Sequence, residues 1–264
     1  MEQIAPLALA DTTWDNVGIL VENPKPNAYS RVMLTIDLTP AHLQECIEKQ
    51  IGVIVSYHPP IFASMKRLTL KNPKQEIVLR TVAEGMSIFS PHTSLDAARG
   101  GMNDWLASIV DSQSDRVFPI IPTAGTEVSA GSTGMGRVVE LRNPISFKEL
   151  VERVKIGLGI PTVRVSAPGG QERLVRRVAV CVGSGTSVFK SLKSGAVDVL
   201  LSGEMGHHDV LAAADNNQSV ILTEHTNTER GFLRAVLKGA LQEKLGEDVA
   251  IEVSTRDADP LVVW

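Results

Sequence analysis

The chain has 264 residues, 43% of them hydrophobic, and a formal net charge of −4. That is enough for one large domain or two small ones with a sizeable core, and it excludes a disordered chain. The acidic balance argues against direct nucleic-acid binding, and no apolar run approaches the roughly 18–20 residues that a membrane helix needs.

Trp14-Asp15-Asn16-Val17-Gly18-Ile19-Leu20 is followed by a Pro/Asn-rich turn region from Asn23 to Ser30. Val32 to Ile36 reads as a strand. Thr39 and Pro40 then read as the cap and first position of a helix over Ala41 to Lys49. A second strand, Val53 to Ser56, stops at His58-Pro59-Pro60, because proline cannot continue a central strand. Gln75 to Glu84 reads as a helix, Ser87 to Phe89 as a short strand, and Asp104 to Val110 as a helix. Ser, Thr, Gly and Pro are frequent from Asp111 to Gly136. Ser146-Phe147-Lys148-Glu149 is a capping box that opens a helix to about Gly157. Thr162 to Ser166 reads as a strand, and Ala167 to Gly170 as a turn. Met1 to Trp14 has no Arg and carries acids, which fits neither a signal nor a transit peptide. Cys46 and Cys181 make no disulfide framework, so a reducing interior is expected: the cytoplasm, with a nuclear pool as a further option.

From Val178 the opening pattern returns. Val32 to His58 spans the same 26 positions as Val178 to Glu204, so His58 falls on Glu204. Each copy then reaches a His-Thr-x-x-acid motif after a short apolar run: Ser90-Pro91-His92-Thr93-Ser94-Leu95-Asp96 and Thr223-Glu224-His225-Thr226-Asn227-Thr228-Glu229. Two β-α-β units with parallel pairing follow, and so an α/β fold class. The expected organisation is a first repeat over 1–115, a connecting segment over 116–177 packed on the repeats, and a second repeat over 178–264. In such sheets the ligand site lies beyond the carboxyl ends of the strands. His58, His92, Glu204 and His225 all sit just past a predicted strand end.

A His and a carboxylate four positions apart can share one face of a helical turn, and two such pairs suit a divalent ion. The bland alternative is that Thr93/Asp96 and Thr226/Glu229 are helix capping boxes. Capping does not account for a His before Thr in both copies of a chain with six histidines. His207-His208 read either as an exposed helix start or as a substrate contact. His42 is expected on the solvated face of its helix. Gly183-Ser184-Gly185-Thr186 reads as a tight turn, with a weaker anion-binding reading beside it. Tyr57 is open between stacking, donating and packing. Lys66, Arg67 and Arg80 read as a solvated basic face.

Trp14 to Leu20, Ser56-Tyr57-His58-Pro59-Pro60-Ile61-Phe62, Ser90 to Asp96 with Gly101-Met102-Asn103-Asp104, Ser202 to His208 and Glu224 to Gly231 together resemble signature blocks. They are those of the Ngg-one-interacting-factor-three-like family, also labelled GTP cyclohydrolase type 2-like, in its eukaryotic branch. The resemblance implies two intertwined structural repeats with mixed β-sheets flanked by helices. It implies a dinuclear metal centre with His58, Asp96, His225 and Glu229 as ligands and His92 near or in the shell. It also implies homo-oligomers. Tyr57 stands where the family pattern has the first of two paired histidines, and a neutral phenol is a poor ligand, so one or two ions are open. Mixed imidazole and carboxylate ligation suits Zn, Fe or Mn.

Two functions follow. One is a divalent-metal-dependent hydrolase of a nucleotide or phosphorylated metabolite, with His92, Glu204 or His208 moving protons. The other is a non-catalytic interaction module that associates with transcriptional co-regulator proteins, Tyr57 marking the loss of catalysis. The small-molecule substrate itself is not readable from the sequence.

Overall fold

The computed structural model describes residues 1–262. Its strands are β1 (Gly18–Val21), β2 (Arg31–Thr35), β3 (Val53–Ser56), β4 (Ser87–Ser90), β5 (Val117–Pro122), β6 (Gly134–Ser146), β7 (Arg164–Ser166), β8 (Leu174–Ser184), β9 (Val199–Glu204), β10 (Ser219–Leu222) and β11 (Ala250–Val253). The α-helices are α1 (Pro40–Glu48), α2 (Pro73–Ala83), α3 (Thr93–Ala97), α4 (Met102–Val110), α5 (Phe147–Leu158), α6 (Thr186–Phe189), α7 (His207–Asp215), α8 (Arg230–Phe232) and α9 (Lys238–Leu245). A π turn over Leu233–Leu237 links the last two. Among the described residues no helix is long and apolar enough to cross a membrane. The described residues form two compact units: Met1–Leu95 with Phe232–Ala258, and Asp96–Gly231 with 259–262.

The first unit holds a mixed five-stranded sheet in the order β1-β4-β3-β2-β11, with β1 antiparallel and the other pairs parallel. Met33 and Leu34 in β2 are both fully buried. Consecutive strand residues point to opposite faces, so both faces of the sheet are covered, as parallel sheets require. The core on one side gathers Met33, Leu43, Cys46, Ile54, Ile77 and Ile88 from β2, α1, β3, α2 and β4. Asn72 caps α2 by accepting from the Lys74 and Gln75 amides, with Pro73 at its first position.

The second unit holds a six-stranded sheet in the order β5-β6-β8-β9-β10-β7. Its centre, β8-β9-β10, is parallel, and β5, β6 and β7 run antiparallel to their neighbours. Ser146 caps α5 through the Glu149 amide, as the capping box predicts, and Gly159 ends that helix in the left-handed region. Arg137 in β6 is fully buried. Its guanidinium donates to Asp104 and to the carbonyls of Gly134, Gly136 and Ala98.

The duplication is visible in the pairing. Val32 faces Val53 and Val178 faces Val199, the same offset of 21 residues in each sheet. In both, a third parallel strand follows (β4, β10) and an antiparallel strand closes beyond it (β1, β7). The expected α/β class with two mixed sheets is what the chain adopts.

One expectation fails here. His42 is not solvated: it is 6% exposed, with Nδ1 2.7 Å from the Thr39 hydroxyl and Nε2 4.0 Å from Asp257. The segment after β11 covers that face of α1. Glu45 accepts there from the Ser254 hydroxyl and from the amide and hydroxyl of Thr255. Burial lowers the His42 pKa, against the opposing pull of Asp257, Glu45 and Asp37.

Candidate functional site

In the first unit, β3 ends at Ser56, whose hydroxyl donates to the His58 carbonyl at 2.7 Å and turns the chain sharply. His58 Nδ1 then lies 3.0 Å from Asp37 Oδ1, just past the end of β2. With Nδ1 as the donor, Nε2 carries the lone pair. His92 follows β4 and is held by Asp15, Nδ1 to Oδ1 at 2.6 Å. Asp15 Oδ2 accepts from both the amide and the hydroxyl of Thr93. Burial pushes the Asp15 carboxyl up, but the bonds from His92 and Thr93 and the charge of His92 outweigh it, so its pKa is lowered. Tyr57 is buried between the two imidazoles, with ring centroids 4.9 Å from His58 and 5.4 Å from His92. Only 2% of its surface is exposed. Trp14 lies edge-on to His92 at 5.8 Å and to Phe62 at 6.1 Å. Its indole N–H donates to Asp11.

In the second unit, His225 follows β10. Its Nδ1 lies 2.9 Å from Glu204 Oε1 at the end of β9, and its Nε2 3.4 Å from Glu229 Oε1. Glu229 is 1% exposed. Gly183, at φ +59°, faces the pair: a Cβ there would come within 2.8 Å of both Glu229 Oε1 and His225 Nε2. The bare backbone therefore preserves the space in which the imidazole and the carboxylate meet. With Nδ1–H given to Glu204, Nε2 faces the Glu229 carboxylate either as an imidazolium N–H or as a lone pair sharing a cation with it. Asp96 in α3 is buried. Burial first, then Asp96 and Glu229, push the Cys181 thiol up, which keeps it protonated and unsuited to ligation.

The family described as Duf34/NIF3 (NGG1p interacting factor 3) matches residues 1–260. The chain belongs to this family. It is 42% identical to a protein NIF3 homolog of Schizosaccharomyces pombe, over 99% of this chain and 94% of that one. It is 41% identical to the NGG1-interacting factor 3 of Saccharomyces cerevisiae, over 98% of this chain and 92% of that one. A crystal structure of a Bacillus cereus protein related to NIF3 shares the fold, with a TM-score of 0.82 at 19% identity, covering 100% of this chain and 96% of that one. The signature blocks thus fall in a NIF3 chain, as their resemblance implied.

Within this NIF3 chain two amides of the glycine-rich turn at the end of β8 are bonded inside the protein. Gly183 N donates to Thr228 Oγ1 at 2.8 Å and Gly185 N to Ser202 Oγ at 2.9 Å. The threonines do not serve as helix caps: the Thr93 hydroxyl is bound to Asp15, and that of Thr226 lies between Asp259 and Arg230. His208 stands exposed on the first turn of α7 against His207, ring centroids 5.3 Å apart. Sequence reasoning missed Asp15 and Asp37, and it read Gly183 as part of a turn without placing it beside His225 and Glu229. Asp37 and Gly183 occupy equivalent places in the two copies, on the alignment that sets Val32 on Val178, so that alignment could have singled them out.

Proposed function

We propose that this NIF3 chain binds one or two divalent ions, Zn, Fe or Mn, through His58, Asp96, His225 and Glu229, and hydrolyses a nucleotide or a phosphorylated metabolite. The observation that carries this reading is the meeting of His225 Nε2 and Glu229 Oε1 at 3.4 Å under a glycine. Two ligands at roughly 2.1 Å from a tetrahedral ion stand about 3.4 Å apart. Glu204 and Asp37 each take the Nδ1 of an imidazole and so direct its Nε2, the arrangement found behind metal-bound histidines.

Held by His58, Asp96, His225 and Glu229, such an ion would supply Lewis-acid activation of a water and of the substrate's oxygens. The chain's own groups supply the proton traffic. His92, locked by Asp15, presents Nε2 as acid or base, with Glu204 and the exposed His208 as further carriers. Self-association and a cytoplasmic place with a nuclear pool belong to the same reading. The test is elemental analysis of untagged protein, then a nucleotide panel with metal-loaded wild type and His225→Ala. At least about one equivalent of metal and turnover lost in His225→Ala are expected. No turnover in either overturns hydrolysis.

A second reading is favoured by one finding: the S. cerevisiae relative is named for interacting with NGG1. On it, the chain is an interaction module for transcriptional regulators, and transition metal stays under about a tenth of an equivalent.

A further inference from the structure

Both His-Thr turns are gripped in the same way by carboxylates that lie outside the duplicated strands. Thr93 gives its amide and its hydroxyl to Asp15 Oδ2, at 3.2 and 2.5 Å. Thr226 gives its amide and its hydroxyl to Asp259 Oδ2, at 3.2 and 2.9 Å. Asp15 precedes β1, the first strand, and Asp259 follows β11, the last. The two grips are thus built from opposite ends of the chain, and copying the β-α-β unit alone does not produce them. The recurrence of one geometry from two unrelated segments points to a requirement of the turn.

That requirement is visible in the backbone. His92 has φ 35° and Glu224, the residue before His225, has φ 67°. A residue with a Cβ stays in the left-handed region only where its surroundings over-determine it, and such residues gather at functional sites. Asp259 is itself fixed, since its Oδ1 accepts from the Leu261 amide at 3.0 Å. Arg230 donates to the same Thr226 hydroxyl from the other side. The second turn then gives Thr228 Oγ1 to the His225 carbonyl at 2.7 Å and takes the Gly183 amide on that oxygen at 2.8 Å. A displacement of Thr226 is therefore passed to His225 on one side and to Glu229 on the other.

We infer that Asp259 is a positioning residue for His225 and Glu229, the counterpart of Asp15 at the first turn. Its consequence for metal rests on the reading that His225 and Glu229 are ligands. The experiment uses the full chain as Asp259→Ala, with Asp15→Ala as the control. Hydrogen exchange of the metal-stripped proteins is read over 223–229 and 90–96, and Zn2+ affinity by titration. Asp259→Ala is expected to lose protection at Thr226 and its neighbours while 90–96 stays as in wild type, and Asp15→Ala does the converse. Zn2+ binding by Asp259→Ala should weaken by roughly 10–100-fold, as removal of a group that orients a ligand does.

Unchanged exchange over 223–229 overturns the inference. Faster exchange there with unchanged Zn2+ affinity reduces Asp259 to a fastener of the chain end and overturns it too. A wild type that binds no Zn2+ sinks the metal reading instead, and the exchange result alone then decides the grip. Should Asp259→Ala not fold, Asp259→Asn, which keeps an acceptor oxygen and drops the charge, is read the same way.

Discussion

The two His-Thr turns start from one pattern and end in different chemistry. At the first, the residue after the leading strand is Asp37, and it spends its carboxylate on His58. At the second, the equivalent residue is Gly183, and it supplies room for His225 and Glu229. The histidines are treated differently as well. His92 is held by Asp15, whose side chain is 0% exposed, whereas the Glu204 that holds His225 is 51% exposed. A duplicated unit has kept its strand pairing and divided its roles: one copy orients imidazoles among aromatic rings, the other sets one imidazole between two carboxylates beside a glycine.

The largest test of this division is in the framework of the second unit. Arg137→Ala leaves Asp104 and three carbonyls of a buried site without their donor. Removing one partner of a buried ion pair costs about 3–5 kcal/mol, so urea denaturation should show a loss of that size. A loss under about 1 kcal/mol would mean that water replaces the guanidinium. Next comes Gly183→Ala. Its Cβ would sit 2.8 Å from both partners on a left-handed backbone. Zn2+ affinity should fall at least about 100-fold, roughly 3 kcal/mol, while Asp37→Ala at the equivalent place costs less. Equal losses would erase the contrast between the copies.

The first unit carries the pH-dependent part. The Glu45 carboxyl is depressed from 4.5 to about 2: burial raises it, and Ser254, the Thr255 amide, Lys49 and the Thr255 hydroxyl outweigh burial. A carboxyl lowered on folding stabilises fully above its unfolded value, and that stability is lost as pH falls through the folded one. Thermal midpoints should therefore drop as pH goes from 4.5 towards 2. Glu45→Gln should flatten this limb and cost on the order of 2–3 kcal/mol near neutrality. An unchanged acid limb in that variant would place the sensitivity elsewhere.

The parts of the fold that could be read in advance are those with local causes. Strand, turn and helix signals around Val32–Ser56 and Val178–Ser202 are short-range, and the constant offset between them exposed the duplication. His92 and His225 stood out because the motif repeats. The long strand β6 hides among Ser, Gly and Pro, since its pairing with β8 is decided by tertiary contact and not by propensity. Asp15 and Asp259 were illegible for the same reason: each meets its threonine across a long loop of chain, 78 and 33 residues away. His42 was misjudged because the segment that buries it, around Asp257, lies over two hundred positions on.

The smallest expected effect is the sharpest probe of what Glu204 is for. Its Oε1 lies 2.9 Å from His225 Nδ1, and half of its side chain is in water, where charge is well screened. If Glu204 only orients the imidazole, the amide oxygen of Glu204→Gln serves nearly as well, since it still accepts the Nδ1–H. Zn2+ affinity should then change by no more than about threefold, whereas Glu204→Ala loses roughly tenfold. If the chain is the proposed hydrolase and Glu204 also carries a proton, Glu204→Gln keeps its metal and loses turnover, because an amide cannot take that proton at neutral pH. Affinity and turnover falling together in Glu204→Gln would instead show that the negative charge itself secures the ion. The second turn would then resemble the first, where the charge on Asp15 is the anchor.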